Sequence, residues 1–97
     1  MLNVQHLLTF KALVKTNSFT ETATELGLTQ PAISQHIRKL EESLGGTLFQ
    51  RHGRRVEITE LGQILLEHVI NLERCHARFL VSLDGYKQSQ YQKKQAH

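Results

Sequence analysis

Two helix starts and one helix stop crowd into residues 18–29, and they leave the chain little freedom in how it folds there. Ser18-Phe-Thr-Glu21 is a capping box, with Ser18 as N-cap and Glu21 three residues on. The helix it opens, 19–26, ends at Gly27, a natural residue for a left-handed helix stop. Thr29 then caps a second helix, 30–44, and Pro31 sits in its first turn, where a missing N–H costs nothing. Only Gly27 and Leu28 separate the two helices, so the pair predicts a helix-turn-helix over 19–38. Ala23, inside the first, is small, as a close crossing demands.

The second of these helices is two-sided. Ile33, Ile37, Leu40 and Leu44 form one apolar stripe at helical spacing. Pro31, Ser34, Gln35, Arg38 and Glu42 lie opposite, with Gln30 at the leading edge. Short amides and a hydroxyl both donate and accept hydrogen bonds, which is what contacts to base edges in a duplex require. An ordinary solvated face has a similar composition, so the flanking segments decide between the two readings.

Upstream, residues 3–16 predict a first helix with Leu7, Phe10 and Val14 as its stripe, widened by Leu8 and Leu13. Lys11 and Lys15 lie four apart and read as solvated surface. Thr22 and Thr24 are mediocre helix formers, so helix two relies on packing. Beyond Gly45-Gly46, residues 47–51 and 56–58 read as short strands flanking Gly53, a β-hairpin over 47–58. Its tip and shoulders carry Arg51, Arg54 and Arg55. Three arginines in five residues make a basic wing, and each planar fork can bond two phosphate oxygens at once. The alternative is a solubilising loop.

Thr59 caps a long last helix. Leu61, Leu65, Val69, Leu72, His76, Phe79 and Leu83 step along it by four and three residues, broadened by Ile64, Ile70 and Leu80. The expected helix covers 60–85, roughly 25 residues or about 37 Å. A domain of about 60 residues has no surface long enough to cover that stripe, so it implies a partner. The simplest partner is the same helix of a second copy, about a two-fold axis. Residues 86–97 are polar and Gln-rich with no apolar period, and are expected to fray or stay disordered.

The net charge of +3 is a modest basic excess, whose placement matters more than its size. The single cysteine, Cys75, excludes an internal disulfide and suits a reducing cytoplasm; it is expected to pack as a small hydrophobe at the helix interface. No charged-then-apolar leader opens the chain and no run approaches the roughly 18 apolar residues of a membrane span, so a cytoplasmic protein is expected. His68, Cys75 and His76 lack a zinc-ligand spacing, and neither metal nor cofactor is expected. No glycine-rich phosphate loop or spaced nucleophile–base pair points to catalysis, and an enzyme is not expected.

These residues together resemble a known pattern. The run 17–26 (Asn-Ser-Phe-Thr-Glu-Thr-Ala-Thr-Glu-Leu), then Thr29-Gln-Pro-Ala-Ile-Ser34, Leu40-Glu41, Gly45, Leu48-Phe49, Arg51 and Thr59-x-x-Gly62 is similar to the N-terminal region of LysR-type transcriptional regulators, over about 2–70. The resemblance implies a mainly α fold: a winged helix-turn-helix over 2–59, three helices plus a two-stranded wing, followed by a linker helix that pairs two subunits. It implies DNA contacts from Gln30, Pro31, Ser34 and Gln35 of the recognition helix and from the wing arginines. Thr22 stands where the family usually has alanine, which is expected to loosen helix two against helix three. Thr29 replaces a common serine and keeps the cap. The family normally continues into an effector-binding domain, so the chain is expected to be a fragment ending after the linker helix or a short member.

The leading expectation is a homodimeric, sequence-specific binder of double-stranded DNA at a pseudo-palindromic site in a bacterial nucleoid. Gln30, Ser34 and Gln35 would read bases; Ser18, Thr29, Pro31, Arg38, Arg51, Arg54 and Arg55 complete the expected interface. A small-molecule effector enters only with a C-terminal domain. The alternative is an interaction module that pairs through its long helix with a full-length regulator. RNA is disfavoured for want of the aromatic platforms that unstacked bases prefer.

Overall fold

The computed structural model describes residues 2–95. Its elements are α1 (Val4–Thr16), α2 (Phe19–Leu26), α3 (Gln30–Leu44), β1 (Phe49–His52), β2 (Arg55–Ile58) and α4 (Glu60–Gln95). This is the expected fold class, a winged helix-turn-helix followed by a long helix. The chain divides into two compact units, the first ending at Glu67 and the second beginning at His68. The first turns of α4 therefore belong to the first unit, which extends past the expected boundary at 59.

The first unit is built on one small core. Leu7, Phe10 and Leu13 of α1, Phe19 and Ala23 of α2, and Ile33, Ile37 and Leu40 of α3 are all buried. Leu48, Val56 and Leu65 are buried as well, and Phe10 meets Phe49 of β1 with ring centroids 5.5 Å apart. The stripe expected on α1 is corrected at one place. Leu8 is 53% exposed, and Thr9 takes the buried position. A hydroxyl can be buried there because Thr9 Oγ1 and His36 Nδ1 of α3 hydrogen-bond at 2.8 Å.

The capping box forms only in half. Ser18 Oγ accepts from the Glu21 N–H at 3.2 Å, but the Ser18 N–H donates to Thr16 Oγ1 at 3.1 Å instead of to Glu21. Thr16 Oγ1 also lies 2.7 Å from Thr22 Oγ1, and the Thr22 hydroxyl donates to the Ser18 carbonyl at 2.8 Å. Thr22 is fully buried and fully satisfied. Far from loosening α2, its hydroxyl ties that helix to the end of α1.

The turn between α2 and α3 needs a glycine. Gly27 sits at φ 67°, in the left-handed region that a Cβ disfavours. Its N–H reaches the Thr24 carbonyl at 3.3 Å while the Leu28 N–H reaches Ala23 at 3.0 Å, a double closure of the helix end. Thr29 Oγ1 then accepts from the Ala32 N–H at 3.2 Å and starts α3.

The wing is an antiparallel hairpin in which Arg51 pairs with Val56 and His52 with Arg55, leaving a two-residue turn at Gly53-Arg54. Both ends of the wing are fastened. Glu41 of α3 accepts from the Leu48 N–H at 2.8 Å, and the Val56 N–H donates to the Asn17 carbonyl at 3.0 Å. At the far end Thr59 Oγ1 donates to the Thr47 carbonyl at 2.7 Å and accepts from the Gly62 N–H at 3.0 Å, capping α4. Gly62 is buried, and a Cβ there would lie 2.5 Å from the Leu48 carbonyl oxygen. Only glycine lets the first turn of α4 approach the wing that closely.

The second unit is the rest of α4. The helix expected to stop near 85 continues to Gln95, 36 residues in all. Its length is about 54 Å at the usual rise. Gln and Lys between 86 and 95 are good helix formers, Gly85 alone is not enough to break the helix, and Lys93 and Lys94 suit its negative end. The expected disordered tail is thus corrected over 86–95; residues 96–97 lie outside the described ones.

Candidate nucleic-acid interface

The α2 start, the α3 start and the wing enclose an open groove of about 550 Å³. Its lining includes Ser18, Gln30, Arg51, Arg54 and Arg55, five of the residues singled out from sequence. It also includes Phe19, Thr20 and Glu21, which sequence reasoning passed over. The lining carries three arginines and one glutamate, an excess of positive charge that favours an anion. The signal for the missed residues lay in the capping box, which marks where α2 begins and which side chains stand at its positive end.

The other singled-out residues do not line the groove but continue from Gln30 along α3. Thr29, Pro31, Gln35 and Arg38 are exposed and Ser34 is half-buried, opposite the buried Ile33, Ile37 and Leu40. The hydroxyls of Ser18 and Thr29 already accept backbone N–H groups as caps. Each keeps its own O–H to donate. The α3 face therefore presents two amides, hydroxyls and a guanidinium on a helix whose opposite side is anchored.

The strand register separates the three arginines. Arg51 sits opposite Val56, on the side of the hairpin that faces the body of the unit. Its guanidinium carbon lies 4.6 Å from the centroid of the Phe19 ring. Arg55 points its Nη1 toward the Thr16 carbonyl at 3.5 Å, and Arg54 lies in the turn. On the outer side His52 Nε2 and Glu57 Oε2 meet at 2.9 Å, both well exposed.

α3 is also clasped to α1 through histidines. The His6 and His36 rings stack with centroids 4.6 Å apart. Burial lowers the His6 pKa from 6.5, with smaller contributions from the charges of His36 and Lys39. Among the described residues no cluster of three or more His, Cys, Asp and Glu side chains is placed to hold a metal ion. Among those residues no helix is long and apolar enough to cross a membrane.

The residues expected at a dimer seam divide. Leu65 and Val69 are buried within the single chain, at 4% and 3% exposure, and Leu61 is half-buried. A regular period marks a stripe but not what covers it, and this end of the stripe is already covered. Leu72, His76 and Phe79 are exposed and Leu83 is half-buried. Leu80 and Val81 add to the exposed apolar surface, and Cys75 is exposed rather than packed.

Comparison with known proteins agrees with this geometry. Residues 4–63 match the family described as bacterial regulatory helix-turn-helix protein, lysR family. A putative HTH-type transcriptional regulator protein, PtxE of Stutzerimonas stutzeri, is 41% identical over 88 residues, covering 91% of this chain and 45% of the relative. An uncharacterized HTH-type transcriptional regulator of Bacillus subtilis, YxjO, is 46% identical over 67 residues, 69% of this chain and 23% of the relative. The chain thus spans about half the length, or less, of these curated relatives. Among solved structures, the DNA-binding domain of BenM in complex with benA site 1 DNA superposes with a TM-score of 0.76 at 33% identity, over 84% of this chain and 95% of that one. Full-length LysG of Corynebacterium glutamicum gives 0.79 at 25% identity, over 88% and 29%. This chain belongs to the lysR family of bacterial regulatory helix-turn-helix proteins.

Proposed function

We propose that the chain is the sequence-specific, double-stranded-DNA-binding part of a LysR-type transcription regulator and that it works as a homodimer. The observation that carries this reading is the continuity of two surfaces: the exposed amide-and-hydroxyl face of α3 runs into the arginine-lined groove at Gln30. In this reading α3 enters a major groove, where Gln30, Ser34 and Gln35 meet base edges. Arg38 and the wing arginines hold phosphates on either side and fix the register. The likeness to a BenM DNA-binding domain solved in complex with DNA supports the DNA-binding part of this reading.

The dimer part rests on α4. Leu72, Phe79 and Leu80 are large apolar side chains left exposed on one side of α4 by the single chain. Burying such a patch against a second copy removes it from solvent, and two helix-turn-helix units in one dimer suit a site of two half-sites. Cytoplasmic, nucleoid-associated action belongs to this proposal, and sensing of a small molecule enters it only with a C-terminal effector domain. Titrating the purified chain into duplex DNA at stepped salt tests it. Tight binding that weakens steeply with salt, by a species of twice the chain mass, supports the reading. Absence of DNA binding at low salt overturns it.

A further inference from the structure

We infer that Phe19 is a positioning residue for DNA binding: its ring is the platform that holds the Arg51 guanidinium at the wall of the groove. The inference rests on the proposed role of the wing arginines and deepens it. Three observations meet here. The Arg51 guanidinium lies 4.6 Å from the Phe19 ring centroid. Phe19 itself is 8% exposed, so core packing fixes the ring where it lines the groove. The register pairs Arg51 with the buried Val56, which puts this arginine on the strand face that packs against the core.

The chemistry of the pair favours anion capture. A ring attracts a guanidinium through its negative face without offering a lone-pair acceptor, so the contact leaves N–H donors of Arg51 to bond phosphate oxygens. A carboxylate in the same place would occupy those donors and cancel the charge. Phe19 does neither, so Arg51 keeps its full charge and its fork while losing rotamer freedom before DNA arrives. That preorganisation lowers the ordering cost of binding. Arg54, in the turn, has no such platform among the described contacts, so the three arginines of the wing are not equivalent.

The test is a double-mutant cycle on the full chain with Phe19→Leu and Arg51→Met. The probe is a mixed-sequence duplex of about 30 base pairs, long enough for two half-sites. Phe19→Leu is expected to weaken binding about two- to fivefold, the range for an exposed cation–ring contact. Arg51→Met is expected to weaken it further and to lower the salt slope by about one. In the Arg51→Met background, Phe19→Leu should have no further effect. Equal losses in both backgrounds would show that Phe19 acts only through the core and would overturn the inference. A second readout is independent of DNA. The Arg51 Nε–H resonance should be shifted by the ring current and should lose that shift in Phe19→Leu; an unshifted resonance in the unaltered chain also overturns the inference. A shifted resonance together with unchanged DNA binding by Arg51→Met would leave the stack real and reject the contact to DNA, and with it the positioning role. If Phe19→Leu does not fold, site-specific fluorination of the ring keeps its shape and weakens its negative face. DNA affinity should then fall with each added fluorine, and no change across the series overturns the inference.

Discussion

The backbone N–H of Val56, in the wing, donates to the carbonyl of Asn17, in the turn between α1 and α2, at 3.0 Å. One hydrogen bond thus seats the second strand of the hairpin beside the start of α2, and the arginine-lined groove is the space that results. Asn17 makes the bond from a left-handed backbone, φ 58°, which asparagine tolerates and a β-branched residue does not. Asn17→Val is therefore expected to cost about 1–2 kcal/mol in urea denaturation, while Asn17→Gly stays near the unaltered protein. Equal losses for both would mean that the asparagine side chain, rather than the backbone geometry, matters there.

Gly62 makes a second prediction about the same corner. A methyl group at this position would stand 2.5 Å from both the Leu48 carbonyl oxygen and Ile58 Cγ1. Either α4 or the wing must then shift. Gly62→Ala is expected to lose about 1–3 kcal/mol, although alanine is the better helix former. A gain in melting temperature would contradict the packing described.

The His6–His36 stack predicts a pH dependence of stability. The His6 pKa is lowered below 6.5 in the folded chain, first by burial, so the unfolded state binds more protons as the pH falls. The stability that neutral His6 permits is complete above the unfolded pKa of 6.5 and is lost as pH drops through the lowered folded value. Urea midpoints measured stepwise from about pH 8 to about pH 5 should fall on the acid side, and His6→Gln should flatten that fall. An unchanged slope in His6→Gln would assign the pH dependence to other groups.

Phe79 tests the pairing of α4. It is 57% exposed and its ring lies 6.3 Å from that of His76, one turn back on the same helix. Phe79→Asp places a charge where the proposed seam is apolar. Sedimentation is expected to show a monomer at concentrations where the unaltered chain is a dimer, with the melting of the first unit little changed. If the mass stays that of a dimer, the seam lies elsewhere on the chain.

What the sequence made legible was mostly local. Ser18, Gly27, Thr29 and Thr59 announce helix ends because a cap is decided by a few adjacent residues, and the helix-turn-helix follows from their spacing. Long-range pairings were not readable in that way. Thr9 appears as a polar interruption until His36 is brought beside it from 27 residues away. Arg51, Arg54 and Arg55 look alike in a row, and only the strand register turns one of them onto Phe19. The heptad-like stripe of α4 was visible, but periodicity does not say that Leu65 and Val69 are covered by the chain itself while Leu72 and Phe79 are left in water. The continuation of α4 through 86–95 carries no apolar period to mark it, and its Gln and Lys residues favour helix without one.

The most direct test of the account is selection of binding sites from a random duplex pool by the unaltered chain and by Gln30→Ala. The unaltered chain should enrich a site with two related halves spaced by one helical turn. Gln30→Ala should lose preference at one position in each half, worth about 1–3 kcal/mol, and keep the rest of the site. If the unaltered chain enriches no sequence over the starting pool, the α3 face does not read bases and the central claim is wrong.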